Sequence, residues 1–403
     1  MKKIKNGRFK RNRNTEFNLL TSDTIFKYSK AKTEKCFFDV KIIFKFIIFV
    51  IIFILLVYII KERIFKTPRK YGKKNIISKK IGIIGCDHHI NVGNMLIKYA
   101  IATKIKEMGF DPYIIGINSK NVNTSFLSRF INIITITNFS EISPNDYDTL
   151  MVNSDQTWRI WNGAQYLNIA FLKFAKDWNV KKIVYGASIG LNKLNIPHHM
   201  KEEAKILLKN FSGISVREHQ SIPLLEKLFD INNLTWVVDP TLLIDKKYYF
   251  DLLDDYKSNF DVNNKYICVY KLFEPNKLNM FVKMLKNNSN YKFYSQDNYK
   301  IRENYIQRFL YCIYHSQAVI TNSFHGTIFS IIFEKPFIYF QDFSTDDERF
   351  HNLNDIFNIS NRIIEKNQEP DASLLTTPLN VNYDKLNKLR EISNNFLKEQ
   401  LFY

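Results

Sequence analysis

From residue 76 onward the chain alternates short apolar runs with amphipathic stretches, and this alternation limits its fold more than any other feature. Ile81-Gly82-Ile83-Ile84-Gly85 reads as a buried strand. Met95–Met108 reads as a helix with Ile97, Ile101, Ile105 and Met108 on one face and Gly109 as its stop. Strands are expected at Tyr113–Ile117, Thr149–Asn153, Lys182–Ala187, Gly213–Val216 and Thr235–Val238, with helices near 199–209 and 218–229. A polar stretch at 245–265 precedes a second series. Its strands are expected at Tyr266–Leu272, 291–294, Ala318–Thr321 and Phe337–Phe340, its helices near 276–286, 303–315 and 325–333. Strands joined through helices run parallel and are covered on both faces. The expectation is an α/β chain with two doubly wound domains, 76–244 and 266–360, and a C-terminal helical extension, 361–403. Ligands bind such sheets beyond the carboxyl ends of the strands.

The formal charge of +19 would by itself suggest a nucleic-acid or anionic-membrane partner. Residues 1–80, however, hold 22 basic and 5 acidic side chains, which leaves 36 against 34 in the other 323 residues. The body therefore lacks the basic excess that would neutralise a phosphate backbone, and nucleic acid is not an expected partner. Within the basic head, a tail over 1–41 and a linker over 61–75 flank a run from Ile42 to Ile60 that is apolar except for Lys45. Nineteen helical residues span roughly 28 Å, close to the hydrocarbon thickness of a bilayer. This run reads as a single membrane-spanning helix, with Lys45 snorkelling to the nearer interface, so a lipid bilayer is an expected partner. About forty residues precede the run and no small-residue cleavage site follows, which argues against a cleaved signal peptide. Nine Lys and Arg in residues 61–80 favour a cytosolic body. The 12 basic side chains of the tail would then have to cross, so the facing stays open on these counts. Cys36, Cys86, Cys268 and Cys312 show no ligand spacing, so neither zinc nor a disulfide framework is indicated.

Four strand-to-helix segments carry candidate chemistry. In Cys86-Asp87-His88-His89-Ile90-Asn91-Val92-Gly93-Asn94, Gly93 permits close backbone approach and the following helix start offers N–H groups to an anion. The adjacent His88 and His89 cannot both face one metal from a regular element and read as polar loop side chains, so no metal is expected. Asn153-Ser154-Asp155-Gln156-Thr157-Trp158 ends a strand in hydrogen-bonding side chains. Asp155 there could take a proton from a sugar hydroxyl, or Ser154 and Asp155 could simply build an Asx-turn or helix cap. Arg217 offers a planar fork to carboxylate or phosphate, or a salt bridge to Glu218. His325, within Thr321-Asn322-Ser323-Phe324-His325-Gly326-Thr327, could donate a proton or bind an anion, with Gly326 leaving backbone room.

In this order the segments resemble the polysaccharide pyruvyl transferase family. The matching stretches are 81–109, Ser154–Trp158, Tyr185–Ser188, Ile214–Glu218, Val238–Leu243, Asn322–Thr327 and Glu348-Arg349-Phe350. The resemblance implies two Rossmann-like domains arranged as in GT-B glycosyltransferases. It also implies transfer of a pyruvyl group from phosphoenolpyruvate, a co-substrate and not a resident cofactor, onto two hydroxyls of a sugar or polysaccharide acceptor. Arg217 and His325 are then donor-binding candidates, with the Gly93 turn and Arg349 as further donor sites and His325 and Asp155 as catalytic groups. Asp155, Gln156 and Asn91 are assigned to the acceptor on chemical grounds. The chain departs from the family at Ser323, where several members have Arg, and at Asn94, where Asp is frequent. The expected function is a membrane-anchored pyruvyl transferase; the alternatives are a GT-B glycosyltransferase using a nucleotide sugar and a non-catalytic, membrane-tethered glycan-binding protein.

Overall fold

The structure is a computed structural model that describes residues 78–85, 91–117, 122–160, 165–254, 256, 265–272, 276–297, 303–341, 348–365 and 367–403. The expected membrane span at 42–60, its basic flanks, and Cys86, His88 and His89 lie outside these residues. Among the described residues no helix is long and apolar enough to cross a membrane.

Two parallel sheets carry the fold. The first takes β1 (Lys80–Ile84), β2 (Asp111–Ile117), β3 (Asn132–Ile136), β4 (Thr149–Val152), β5 (Lys181–Ala187), β6 (Gly213–Val216) and β7 (Thr235–Trp236) in the order β3-β2-β1-β4-β5-β6-β7. The second takes β8 (Tyr266–Lys271), β9 (Lys292–Asp297), β10 (Ala318–Thr321), β11 (Phe337–Phe340) and β12 (Ile363–Ile364) in the order β12-β11-β10-β8-β9. The helices between strands of the first sheet are α1 (Val92–Glu107), α2 (Val122–Leu127), α3 (Tyr166–Phe171), α4 (His198–Leu208) and α5 (Ile222–Phe229). Next come α6 (Pro240–Leu243), α7 (Lys247–Asp251), α8 (Asn276–Asn288), α9 (Tyr305–His315), α10 (Phe324–Ile332), α11 (Glu348–Phe357) and α12 (Asp384–Phe402).

Both faces of the inner strands are covered, which is why strands such as β4, β10 and β11 read as near-continuous apolar runs. Ile81, Ile83, Met151 and Ile183 face one core while Ile84, Leu150, Val152 and Val184 face another. In the second sheet, Cys268, Tyr270, Val319 and Phe337 join the same core as Ile81, and Ile267, Val269, Ile320 and Ile338 face outward to a third. One apolar core thus runs through both sheets, and Ile77–Tyr403 forms a single compact unit. A seam of rings marks its path, Tyr99 against Tyr249, Tyr249 against Phe329, Phe329 against Phe309 and Phe309 against Tyr270, with centroids 4.7 to 6.2 Å apart. The last helix closes the circuit: Ser393 of α12 accepts a hydrogen bond from the Val238 N–H, and Phe396 packs on Tyr185.

Two expectations change. Helix α1 starts at Val92, ahead of Met95, because Asn91 caps it by accepting from the Gly93 N–H at 2.9 Å. The cysteines are not all isolated: Cys268 of β8 and Cys312 of α9 are paired as a disulfide, Cα atoms 5.8 Å apart. The tertiary crossing of a strand and the helix three elements later brings them together, so no local Cys spacing announces the pair.

Candidate active site

Each sheet reverses its strand order once, between β1 and β4 in the first and between β8 and β10 in the second. At such a reversal the loops leave in opposite directions and open a crevice. The first crevice is bordered by Gly85, the start of α1 and Asn153–Asp155, the second by Asn322–His325. The two crevices meet where the His325 imidazole lies against Gly93. A Cβ at residue 93 would stand 2.0 Å from His325 Nδ1. Glycine is required there by the ring that covers it.

Beyond β4 the chain turns sharply. Asp155 has a φ of +83° and pairs its backbone with Ala187 at the end of β5, its carbonyl accepting from Ser188 N–H at 3.1 Å. A non-glycine residue in this region costs about 1–3 kcal/mol and persists where its surroundings hold it. Its carboxylate, 7% exposed, accepts from Asn94 Nδ2 at 2.9 Å and lies 4.0 Å from Arg217 Nη2. The Asn that stands where the family often has Asp is thus the donor that holds Asp155.

Arg217, one residue past β6, is 1% exposed. Its Nε donates to Glu218 Oε1 at 2.9 Å and its Nη1 to Asp239 Oδ2 at 2.6 Å, while the guanidinium sits 4.8 Å from the Phe324 ring centre. The salt bridge to Glu218 is therefore real, and Asp239 is a second partner. Asp239 caps α6, its Oδ1 accepting from the Thr241 N–H at 2.9 Å and the Thr241 hydroxyl at 2.6 Å, and its Oδ2 lies 3.7 Å from His325 Nε2. Burial alone would raise the Asp239 carboxyl, but the Arg217 charge and then His325 outweigh it and hold the group well below the usual carboxylate range. Glu218 goes the other way, pushed up by burial against the opposing pull of Arg217.

The remaining expected residues are placed as follows. His325 is the second residue of α10, 5% exposed, behind a cap in which the Ser323 hydroxyl accepts from Gly326 N–H at 3.2 Å. Gly326 leaves room for protein, not substrate, since a Cβ would meet Thr321 Oγ1 at 2.4 Å. Arg349 of α11 lies 5.3 Å from the ring centre of Phe324, the ring that also carries Arg217. Gln156 packs against Gly190 and accepts from Arg159 at 3.3 Å, and Asn91 commits its side-chain oxygen to the α1 cap. Asp239, Glu218 and Phe324 are site residues beyond those expected; the Asp-Pro pair at 239–240 was visible as a helix-start signal. Among the described residues no group of three or more His, Cys, Asp and Glu is arranged to hold a metal ion.

The model of the polysaccharide pyruvyl transferase family matches residues 91–341, more than half of the chain and all of the site except Arg349. The chain belongs to this family. It is accordingly a transferase, and the pyruvyl transferase family model spans both sheets' order reversals. A comparison with curated protein sequences finds no match. Solved structures that the chain matches include a UDP-GlcNAc 2-epimerase from Methanocaldococcus jannaschii, 13% identical over 80% of this chain and 100% of that one, TM-score 0.49. A UDP-GlcNAc 2-epimerase from Neisseria meningitidis bound to UDP-GlcNAc is 10% identical over 79% and 94%, TM-score 0.47. An O-GlcNAc transferase mutant from Thermobaculum terrenum is 11% identical over 80% and 64%, TM-score 0.39.

Proposed function

We propose that this glycan-modifying transferase moves a pyruvyl group from phosphoenolpyruvate onto two hydroxyls of a sugar. In that reaction a proton adds to C3 of the enol, both sugar oxygens bond to C2, and the C2–O bond to phosphate breaks. One hydroxyl proton ends in the new methyl group and the other leaves with phosphate. The observation that carries this reading is the meeting of His325 with the first turn of α1 beside two arginines that share Phe324. A donor with a carboxylate and a phosphate requires cations and N–H groups at one place, with an acid alongside.

His325 is the proton-transfer group, relaying a hydroxyl proton to C3, and with Arg349, Arg217 Nη2 and the Gly93 turn it forms the donor-binding set. Arg349 supplies the charge that Ser323 does not. Asp155 is the base for an acceptor hydroxyl, with Gln156 and Asn91 as outer contacts to the sugar. The two sheets are read as Rossmann-like domains, 76–244 and 266–360, paired in the GT-B manner, with 361–403 as the returning helical extension. The apolar run Ile42–Ile60 anchors this body to a bilayer as a single pass, a reading supported by its length and by the basic residues around it.

Incubating the full chain with phosphoenolpyruvate and a panel of galactosides should release phosphate only when an acceptor is present, and His325→Gln should abolish that release while the fold is kept. Transfer from a nucleotide sugar without any phosphate release from phosphoenolpyruvate would overturn the reading. Protease protection of the C-terminal body in sealed vesicles reports its facing.

A further inference from the structure

We propose that Asp239 is a positioning residue for this site, one anion that fixes the Arg217 guanidinium and holds the His325 imidazole with its proton on Nε2. The inference rests on His325 being the reacting group of the proposed function, and it concerns what makes that ring usable.

The Asp239 carboxylate has no freedom to turn. Oδ1 is held twice by Thr241, through the backbone N–H at 2.9 Å and the hydroxyl at 2.6 Å, and Oδ2 takes Arg217 Nη1 at 2.6 Å. Pro240 follows at the first position of α6, so the backbone on that side is also fixed. Oδ2 then faces His325 Nε2 at 3.7 Å. On its opposite edge the imidazole is pressed against Gly93, where a Cβ would stand 2.0 Å from Nδ1 and 2.4 Å from Cγ. A ring held between a backbone surface and a carboxylate has one orientation. The carboxylate also selects between the ring's two tautomers, because an N–H directed at an anion is favoured and a lone pair directed at it is not.

The other charged groups of the cluster are Arg217 and Glu218 after β6, Asp155 after β4 and Arg349 on α11. Asp239 is linked by ion pairs to both Arg217 and His325. It belongs to neither sheet's last strand residue but to the short helix that follows the first sheet, so the donor-side ring of one sheet is oriented from the other. This arrangement has the logic of a carboxylate that holds a catalytic imidazole without itself touching substrate.

The test uses the full chain labelled with 15N-histidine, its His325 resonances assigned by their loss in His325→Gln. The wild-type ring should carry its proton on Nε2. In Asp239→Asn the preference should shift toward Nδ1–H, and kcat for phosphate release should fall about 100-fold with a smaller change in KM for phosphoenolpyruvate. Thr241→Val keeps the charge but removes one restraint on Oδ1, and should give an intermediate shift of the same signals even if Asp239→Asn fails to fold. Unchanged His325 resonances in a folded Asp239→Asn or Thr241→Val overturn the proposal, whatever the activity. Shifted resonances in a chain that never turns over phosphoenolpyruvate leave the positioning role standing and overturn the assigned reaction instead.

Discussion

The ends of the two sheets bring opposite kinds of side chain to their meeting point. Asp155, Arg217, Glu218 and Asp239 come from the first sheet and the turn after it, all buried and engaged with one another. From the second come Thr321, Asn322 and Ser323, uncharged and hydrogen-bonded within their own turns or to the end of β8, followed by the single titratable ring of His325. The first end is stabilised by ion pairing in a dry environment, where each charge depends on the others. The second is stabilised by capping and, behind it, by the Cys268–Cys312 bond. Removing a charge should therefore cost the first end more stability than a single change costs the second.

The largest effect is expected from Arg217→Met, which leaves Glu218 and Asp239 buried without their cation and should cost about 3–5 kcal/mol in chemical denaturation. A cost below about 1 kcal/mol would erase the distinction between the two ends. This also means that an inactive Arg217 variant says little about donor binding unless its fold is checked. Acid probes the same cluster. Asp239 titrates well below its ordinary 3.8 in the folded protein, so the stability it contributes is present above that value and lost as pH falls. Glu218 has the opposite sign, its folded value lying above 4.5, so its contribution weakens as pH rises past that value. Denaturation midpoints between pH 5 and pH 2 should fall in the wild type and flatten in Asp239→Asn.

At the second end, Cys312→Ser should cost about 2–4 kcal/mol, read as a lowered midpoint that reductant reproduces in the wild type. Gly93→Ala strikes the contact between the ends. Its methyl group displaces His325, at about 1–3 kcal/mol of stability, with a loss of turnover near 100-fold. Full activity in that variant would mean the ring need not lie against α1. The smallest change is Ser323→Ala, which removes a helix cap worth about 1 kcal/mol and should leave the kinetics close to wild type.

Much of the scaffold was readable from residues alone. Ala318–Thr321 and Phe337–Phe340 were expected at the bounds they occupy, because strands buried on both faces leave a continuous apolar record, and Gly213–Val216 was expected at its bounds although its first two residues are half-buried. Asn132–Ile136 gives a weak pattern because it is an edge strand, its first four residues alternately exposed and half-buried and only Ile136 buried. The site was legible as parts and not as a circuit. Arg217 and His325 stand out as charged or polar residues after strands, but nothing local says that Asp239 reaches both. That link is made by the order of strands, which carries β6, the start of α6 and the start of α10 to one point. The glycines tell a similar story: Gly93 looked like room for an anion, and what lies over it is a histidine from the other half of the chain.

The aromatic seam from Tyr99 to Tyr270 has a consequence for traffic through the site. Opening the molecule like a clamshell would wet those rings at roughly 25 cal/mol for every Å² exposed, a toll that each catalytic cycle would meet twice. The seam thus weighs against a hinge between the two sheets and in favour of exchange at the rim with the sheets closed on each other.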